Sequence, residues 1–216
     1  NILNRTIEIT ALHRTKGKFP IELSIWPHQQ SGKQIFSAFI RDITDRRQRE
    51  QVVWLHANFD ALTGLPNRRL LVNRLELAIT QAIANETEVA LLFIDLDRFK
   101  PVNDVYGHAV GDELLRLVAF RLQSVLREGD TVARLGGDEF IALLPGLKAN
   151  DPLPRQTAEK ISNALTQSFL IHEHVITISG SIGIALFPHD AADADTLLNS
   201  ADKAMYSSKK GTPRER

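Results

Sequence analysis

The sequence contains no cysteine in its 216 residues. It therefore forms no disulfide framework and no zinc site built from thiolates, and we expect a reducing, cytoplasmic location. It also lacks an excess of charge of either sign, since 26 Lys and Arg residues balance 26 Asp and Glu residues. That balance argues against a nucleic-acid-binding protein that depends on a basic surface.

Long apolar runs are missing as well. The longest, Val89–Ile94, is far shorter than the ~20 residues of a transmembrane helix, so we expect no membrane contact and no signal peptide. Neither a P-loop nor a Rossmann glycine motif occurs, so any nucleotide phosphates must be held by other groups. Because the chain begins with Asn1 inside a strand-like pattern, we expect it to be a piece of a larger protein.

Residues 1–43 alternate polar and apolar side chains in three segments separated by turns that contain glycine. This pattern predicts three antiparallel strands. The segments are Thr6–Thr10, Phe19–Ile25 and Ile35–Ile40. Three strands bury one face at best, so this part of the chain needs a covering layer.

Residues 44–59 are predicted to form a connector helix. The apolar residues Val52, Leu55, Phe59 and Leu62 follow one another at spacings of 3, 4 and 3, which gives a narrow apolar seam. A coiled coil between two protomers and burial against a neighbouring domain explain this seam equally well.

Residues 60–216 read as strand, helix, hairpin, helix and strand, preceded and followed by a helix. This order predicts an α+β fold, with a ferredoxin-like sheet of the nucleotidyl-cyclase palm type and packed helices. The predicted elements are a helix carrying Leu71–Ile83, the strand Val89–Ile94, a helix over Gly111–Arg127, a helix over about Leu153–Ser168, two strands or one interrupted strand at Val175–Ile178 and Ser181–Ala185, and a helix over Ala194–Lys210.

The tetrad Gly136–Glu139 (GGDE) lies between two apolar segments. Glycine supplies the positive φ of a tight turn, so we predict a β-hairpin whose tip presents Asp138 and Glu139. Adjacent carboxylates repel each other unless water or a cation screens them. By itself the tetrad is compatible with a solvated acidic turn and with a metal site.

A second acidic pair, Asp95 and Asp97, follows the apolar strand Val89–Ile94. If that strand lies beside the hairpin, Asp95 faces Asp138 across neighbouring strands. Oxygen ligands without His or Cys nearby favour magnesium (Mg2+) or manganese (Mn2+) over zinc. Magnesium held by few carboxylates usually completes its shell with water and phosphate, which predicts a nucleotide substrate.

The segment Arg98–Asn103 follows this acidic strand and is predicted to be a loop, in which Lys100 and backbone N–H groups neutralise a triphosphate. Asn103 and Asp112 together can read the N1–H and N2 amino edge of guanine. The alternative is that Asp112 only caps the helix of residues 112–127.

Five motifs, in this order, resemble the GGDEF domain of the diguanylate cyclase family. They are Asp60–Arg68 (DALTGLPNR), Phe93–Asp104 (FIDLDRFKPVND), Gly107–Asp112 (GHAVGD), Arg134–Phe140 (RLGGDEF) and Ser179–Ala185 (SGSIGIA). Residues 1–43 resemble the C-terminal strands of a PAS sensor domain, through Phe19–Glu22 (FPIE) and Phe39–Arg47 (FIRDITDRR). The resemblance therefore implies a PAS remnant over 1–43, a connector over 44–59 and a GGDEF domain over 60–216.

The resemblance also implies a set of roles. Asp95, the backbone carbonyl of Leu96, and Asp138 would hold magnesium. Asp138, with Glu139 beside it, would take the proton from an attacking 3′-hydroxyl, and Lys100 would steady phosphate charge. The residues implied to contact the substrate are Phe99, Asn103, His108, Asp112 and Lys209. Two GTP molecules, one bound by each domain of a homodimer, would give cyclic di-GMP and two pyrophosphates.

Two further features bear on this implied function. Arg127 and Asp130 fit the family's inhibitory Arg-x-x-Asp pattern, where arginine can grip a guanine edge; the alternative is a surface turn at a helix end. The family's C-terminal motif is matched up to Lys209, but Pro213 replaces the second cation, unless Arg214 supplies it. The alternative function is a regulatory module that binds GTP or cyclic di-GMP without turnover, within a larger protein that contains a phosphodiesterase.

Overall fold

The computed structural model describes residues 4–15 and 17–211. The chain divides into two compact units, Asn1–Ala57 and Asn58–Arg216. The first unit holds β1 (Thr6–His13), β2 (Gly17–Gln30), β3 (Lys33–Asp42) and nearly all of α1 (Thr44–Asn58). The second holds α2 (Arg68–Asn85), β4 (Glu88–Asp97), α3 (Phe99–Tyr106), α4 (His108–Val125), β5 (Thr131–Gly136), β6 (Glu139–Leu147), α5 (Leu153–Thr166), β7 (Phe169–Ile171), β8 (His174–Ile176), β9 (Ser179–Phe187) and α6 (Ala194–Gly211).

The first unit is a three-stranded antiparallel sheet of order β1–β2–β3, which confirms the three predicted strands. Ile21 and Ile43 are buried, whereas every residue of β3 is exposed. Salt bridges join helix α1 to β1. Arg46 and Arg47 both donate to the carboxylate of Glu8, and the bond from Arg47 measures 2.6 Å. The hydrogen bond from Arg47 is the main cause that lowers the pKa of Glu8.

Helix α1 confirms that a helix follows the three strands, but its seam is shorter than predicted. Val52 and Leu55 lie on α1 and are exposed. Phe59 and Leu62 lie beyond its last residue, and Phe59 instead pairs with Pro66 in an isolated β-bridge. A seam continuing through Leu62 is therefore wrong, because the chain leaves the helix at Asn58 to form the loop before α2.

The second unit is built on a four-stranded antiparallel sheet of order β5–β6–β4–β9. In sequence order these strands are β4, β5, β6 and β9. The first (β4) and the third (β6) are neighbours, and the fourth (β9) pairs with the other edge of β4, which is the ferredoxin-like arrangement. The register sets Leu92 of β4 opposite Ala142 of β6 and Ile184 of β9. The predicted fold class is confirmed.

Strand β4 shows why helices cover both faces of this sheet. Its apolar residues are buried on either side, since Ala90, Leu92 and Ile94 pack in one cluster and Val89, Leu91 and Phe93 in another. The first cluster includes residues of α3, α4 and α5, and the second includes residues of α2 and α6. The segment Val89–Ile94 of β4 has no polar side chain, so it can be buried on both faces at no desolvation cost to a side chain.

Several element bounds differ from the prediction. Helix α4 begins at His108 and ends at Val125, and α5 ends at Thr166. The two strand-like segments after α5 belong to different sheets: β8 pairs with β7 in a small hairpin, whereas β9 joins the main sheet. Local alternation cannot reveal which neighbour a strand will pair with.

Transmembrane helices were not expected. Among the described residues, no helix combines the length and the apolar character that crossing a bilayer requires.

Candidate functional site

Two acidic segments meet where β4 pairs with β6. Asp95, near the end of β4, lies opposite Glu139, the first residue of β6. The backbone N–H of Leu96 donates to the carbonyl oxygen of Asp138 over 3.2 Å. The strand register thus brings Asp95 beside both acids of the hairpin, although they are far apart in the sequence.

The turn that carries Asp138 depends on glycine and on one arginine. Gly137 has a φ of 52°, in the left-handed region that side chains with a Cβ rarely adopt. The guanidinium of Arg134 donates to the Gly137 carbonyl oxygen through Nε (3.1 Å) and Nη2 (2.7 Å). This side chain therefore fixes the backbone immediately before Asp138.

The same guanidinium reaches the loop before α2. Arg134 Nη1 donates to Oδ1 of Asp60 over 2.9 Å, and the N–H and hydroxyl of Thr63 donate to the same oxygen. Burial alone would raise the pKa of Asp60, but the hydrogen bonds from Thr63 and Arg134 outweigh it and lower the pKa. Since the Arg134 side chain is only 9% exposed, its charge needs this partner.

The surroundings of the two hairpin acids, Asp138 and Glu139, disfavour their ionised forms. Burial is the main cause that raises the pKa of Asp138, and the negative charge of Asp95 raises it further. Burial also raises the pKa of Glu139, together with the charges of Asp95, Asp138 and Asp202. A cation placed among these carboxylates would relieve the repulsion.

Lys209 of α6 supplies positive charge to this cluster. Its Nζ lies 2.5 Å from Oδ1 of Asp95, and this hydrogen bond is the main cause that raises the pKa of Lys209. The Lys209 side chain is 43% exposed, whereas that of Asp95 is 13% exposed. A flexible, partly exposed ammonium group can leave a carboxylate partner and pair with a phosphate instead.

The groups present fit a magnesium ion that has few protein ligands. Asp95 and Asp138 offer carboxylates, and Leu96 offers a backbone carbonyl beside them. Within residues 4–15 and 17–211, no three His, Cys, Asp or Glu side chains form a ready-made metal cage. A cation here would keep open positions for water and phosphate oxygens, as magnesium usually does.

Asp97, the last residue of β4, is held by two serines of β9. Ser179 Oγ donates to Asp97 Oδ2 over 2.7 Å, and Ser181 Oγ donates to Oδ1 over 2.8 Å. Both carboxylate oxygens are thereby occupied, so Asp97 ties β4 to β9 next to the acidic cluster. The first half of the Ser179–Ala185 motif thus has a structural role.

The segment predicted to be a phosphate-binding loop is helical, since α3 begins at Phe99. Pro101 is tolerated there because the first-turn N–H groups of a helix have no intrahelical partner. Lys100 is exposed in this first turn, where unpaired N–H groups favour anions. Phe99 is only 8% exposed and belongs to the core, so its ring packs beneath the helix, and its contact with a substrate stays a prediction.

The predicted guanine-binding residues lie where α3 meets α4. Gly107 is the N-cap of α4, so Asp112 lies one turn inside the helix and the alternative that it caps the helix is wrong. His108 and Asp112 are exposed, and Asn103 is half-buried in the last turn of α3. Asn103 lies against Gly111, the neighbour of Asp112, so both predicted readers of guanine lie at one helix junction.

The predicted inhibitory pair follows α4. Arg127 Nε lies 3.0 Å from Oδ1 of Asp130, and Arg127 Nη2 donates to the Pro145 carbonyl oxygen over 2.9 Å. The Asp130 side chain is 2% exposed and that of Arg127 48%. A cleft of about 310 Å³ lies beside this pair, and Arg74 and Asp130 are among its lining residues.

The altered C-terminal motif falls mostly outside the described residues. Helix α6 is described as far as Gly211, so the predicted loss of a phosphate contact at Pro213, and its replacement by Arg214, concern residues beyond it.

The sequence reasoning missed the pair formed by Arg134 and Asp60. The available signal was a charged residue in a strand that is otherwise uncharged and mostly apolar, since Arg134 follows Thr131, Val132 and Ala133. Charged residues are rarely buried without a partner, so an acid elsewhere was to be expected. Which acid it is depends on the backbone, because Arg134 N–H donates to the carbonyl of Pro66 in the same loop as Asp60.

Comparison with known proteins places the second unit in a described family. The profile of the diguanylate cyclase GGDEF domain matches residues 57–215. The bifunctional diguanylate cyclase/cyclic di-GMP phosphodiesterase MucR of Pseudomonas aeruginosa is 50% identical over 151 residues, which cover 69% of this chain and 22% of MucR. The diguanylate cyclase TpbB of the same species is 42% identical over 166 residues, or 76% of this chain and 38% of TpbB.

Solved structures show the same likeness. The GGDEF domain of TpbB superposes with a TM-score of 0.69 at 42% identity, covering 71% of this chain and 90% of that one. The coiled coil and GGDEF domain of DgcB from Caulobacter crescentus, solved in complex with c-di-GMP, gives a TM-score of 0.71 at 28% identity, covering 78% and 89%. The chain spans well under half the length of the two curated relatives.

Replacing Asp60 by alanine is expected to destabilise the protein. The change leaves the buried Arg134 guanidinium without its carboxylate and removes both Thr63 hydrogen bonds, which should lower the free energy of unfolding by about 1–3 kcal/mol. Chemical denaturation measures the change. Asp60→Asn keeps an oxygen acceptor and should lose clearly less; equal stability of Asp60→Ala and the parent would contradict the assigned role.

Replacing Asp138 by asparagine is expected to stabilise the metal-free protein at pH 7. The folded-state pKa of Asp138 is raised, so folding favours its protonated form. The ionised carboxylate therefore lowers the stability of the folded protein as pH rises above the ordinary carboxyl pKa of ~4. Thermal unfolding in chelator should therefore show the gain at pH 7 and its disappearance by about pH 3.5.

Asp193→Asn is the matched control for that measurement. Asp193 accepts the backbone N–H of Thr196 at the start of α6, and this hydrogen bond is the main cause that lowers the pKa of Asp193. The sign is therefore opposite, and the variant should be less stable than the parent at pH 7. A stabilising Asp193→Asn, or a destabilising Asp138→Asn, would contradict the electrostatic account.

Proposed function

The chain belongs to the diguanylate cyclase family of GGDEF domains, and we propose on this basis that it condenses two GTP molecules into cyclic di-GMP and two pyrophosphates. The observation that carries the proposal is the cluster of Asp95, Asp138 and Glu139 at the paired ends of β4 and β6. Lys209 contacts the cluster from α6.

Asp95, Asp138 and the Leu96 carbonyl are proposed to hold magnesium. When bound, magnesium neutralises the triphosphate and polarises the phosphorus under attack. Lys209 gives up Asp95 and takes a phosphate oxygen, because the carboxylate is then engaged elsewhere. Lys100, in the first turn of α3, adds positive charge at a helix end that already favours anions.

The chemical step needs a base for the 3′-hydroxyl. Its oxygen forms a bond to the α-phosphorus of the second GTP, the bond to pyrophosphate breaks, and the proton passes to a carboxylate. Asp138 and Glu139 are both candidates, and Glu139 is favoured because it is not assigned to the metal. Its raised pKa in the folded chain makes it a better proton acceptor than an ordinary carboxylate.

Guanine selection is assigned to the junction of α3 and α4. The Asp112 carboxylate can accept both N1–H and the N2 amino group, and the Asn103 carboxamide can both donate and accept. His108 lies at the start of α4 near the same junction. Adenine offers no matching pair of donors, so its binding would leave these polar groups unpaired.

A homodimer is part of the proposed mechanism. One site aligns one GTP, and the second phosphodiester bond needs the 3′-oxygen of the other, so two domains must face each other. The first unit, with its three antiparallel strands, is proposed to be the C-terminal part of a PAS-like sensor. Helix α1 is proposed to be the connector through which that sensor sets the dimer geometry, on the cytoplasmic side where GTP is available.

A second candidate function is a regulatory module that binds nucleotide without turnover. It is favoured by the likeness to MucR, which is named as both a cyclase and a phosphodiesterase. In such a protein the GGDEF domain could serve an attached phosphodiesterase. The presence of both hairpin acids, Asp95 and Lys209 favours the catalytic function.

Activity of the purified chain tests the proposal directly. With GTP and magnesium we expect cyclic di-GMP, formed at a rate per chain that rises with protein concentration because two domains are needed. Glu139→Gln should lower the rate at least ~100-fold by removing the proton acceptor. Chromatography of the products measures both.

The exposed Glu159 on α5 provides the control, and Glu159→Gln should retain activity within about twofold. GTP binding without product at any protein concentration would overturn the catalytic proposal in favour of the regulatory module. Failure to bind either GTP or cyclic di-GMP would overturn both.

Arg127 and Asp130 are proposed to bind the product and inhibit the enzyme. Arg127→Ala should raise the inhibition constant for cyclic di-GMP by about tenfold or more, because a guanidinium that can grip a guanine edge is lost. Initial rates with added cyclic di-GMP measure the change. Arg116→Ala, which removes an equally exposed arginine paired with Glu113, should leave inhibition unchanged; an effect equal to that of Arg127→Ala would contradict the site.

A further inference from the structure

Helices α3 and α4 approach each other closely at Gly111. A Cβ built on Gly111 would lie 1.9 Å from Oδ1 of Asn103, 2.9 Å from its Cγ and 3.3 Å from Cζ of Phe99. Gly111 lies inside α4, where its N–H donates to the Gly107 carbonyl, and glycine is among the poorest residues for a helix interior. The helical backbone at Gly111 could be formed by any residue except proline. Glycine is needed there because the close approach of Asn103 leaves no room for a side chain.

The Asn103 carboxamide occupies the volume that a side chain at residue 111 would fill. The backbone of Asn103 is fixed independently, because its carbonyl accepts the N–H of Gly107 over 2.9 Å. Only the side-chain torsions of Asn103 remain, and the bare backbone of α4 at Gly111 leaves room for the carboxamide. Asp112 follows directly on the same helix.

We propose that Gly111 is a positioning residue for nucleotide selection, because its missing side chain lets the Asn103 carboxamide lie where it can act on guanine together with Asp112. This inference rests on the proposed function and adds to it a residue that touches no substrate. A methyl group at residue 111 turns the carboxamide away, and a turned carboxamide presents its donor and acceptor in the wrong directions.

The fold should tolerate that methyl group. The two atoms within 3 Å of it belong to the end of the flexible Asn103 side chain, and the Phe99 ring at 3.3 Å has to shift only slightly. Alanine is also a better helix former than glycine. Gly183 is the matched contrast, since a Cβ there would lie 2.0 Å from the Met205 backbone nitrogen and 2.3 Å from the Ala201 carbonyl oxygen. Backbone in α6 cannot move aside so easily, so the same substitution at Gly183 should reduce stability.

The experiment measures binding of 3′-deoxy-GTP and 3′-deoxy-ATP with magnesium by calorimetry, because these nucleotides lack the attacking hydroxyl and cannot turn over. Gly111→Ala should weaken 3′-deoxy-GTP binding about tenfold, the value of one well-directed hydrogen bond. Binding of 3′-deoxy-ATP should change less than about twofold, because adenine does not use the pair. Thermal unfolding should show no loss of stability, unlike Gly183→Ala.

The Asn103→Ala background gives the decisive comparison. Once the carboxamide is absent, a methyl group at residue 111 has nothing to displace, so Gly111→Ala should add no further loss of 3′-deoxy-GTP binding. In steady-state assays Gly111→Ala should raise the KM for GTP and leave kcat nearly unchanged.

Three results would overturn the inference. They are unchanged 3′-deoxy-GTP binding in Gly111→Ala, equal weakening of both nucleotides, and losses that add in full with Asn103→Ala. If the parent chain binds 3′-deoxy-GTP and one of these results is found, only the inference fails. If the parent does not bind 3′-deoxy-GTP, the proposed function fails and takes the inference with it.

Discussion

The repulsion among Asp95, Asp138 and Glu139 is the constraint on which the site depends. Pairing of β4 with β6 brings these carboxylates together, and partial burial denies them the screening of bulk water. The apolar packing of β4 on both faces holds the strands in register against this repulsion. The stability of the core thus supports a local arrangement that is unfavourable until positive charge arrives.

Two cations moderate that arrangement in different ways. Arg134 is buried and fixed between Asp60 and the Gly137 carbonyl, so it shapes the turn. Lys209 is partly exposed and bound to Asp95 at the end of a long side chain, so it can be exchanged. A rigid arginine for geometry and a flexible lysine for ligand exchange suit the different chemistry of the two side chains.

The conformation of the chain around the site is set by contacts that touch no ligand. Asp97 ties β4 to β9 through Ser179 and Ser181, and Gly111 allows α3 and α4 to approach. These residues belong to the sequence motifs that suggested the function, yet their contacts in the fold are with other protein groups. A motif therefore marks the supports of a site as well as the groups that react.

The sequence alone determined the elements and the acids, because apolar periodicity and the Gly136–Glu139 tetrad act over a few residues. It predicted that Asp95 would face the hairpin, since an all-apolar strand belongs in the middle of a sheet. It misread Arg98–Asn103 as a loop, where α3 begins at Phe99, and could not pair Arg134 with Asp60. Only the tertiary structure decided these points, because a partner distant in sequence is chosen by the packing of the whole domain rather than by local preference.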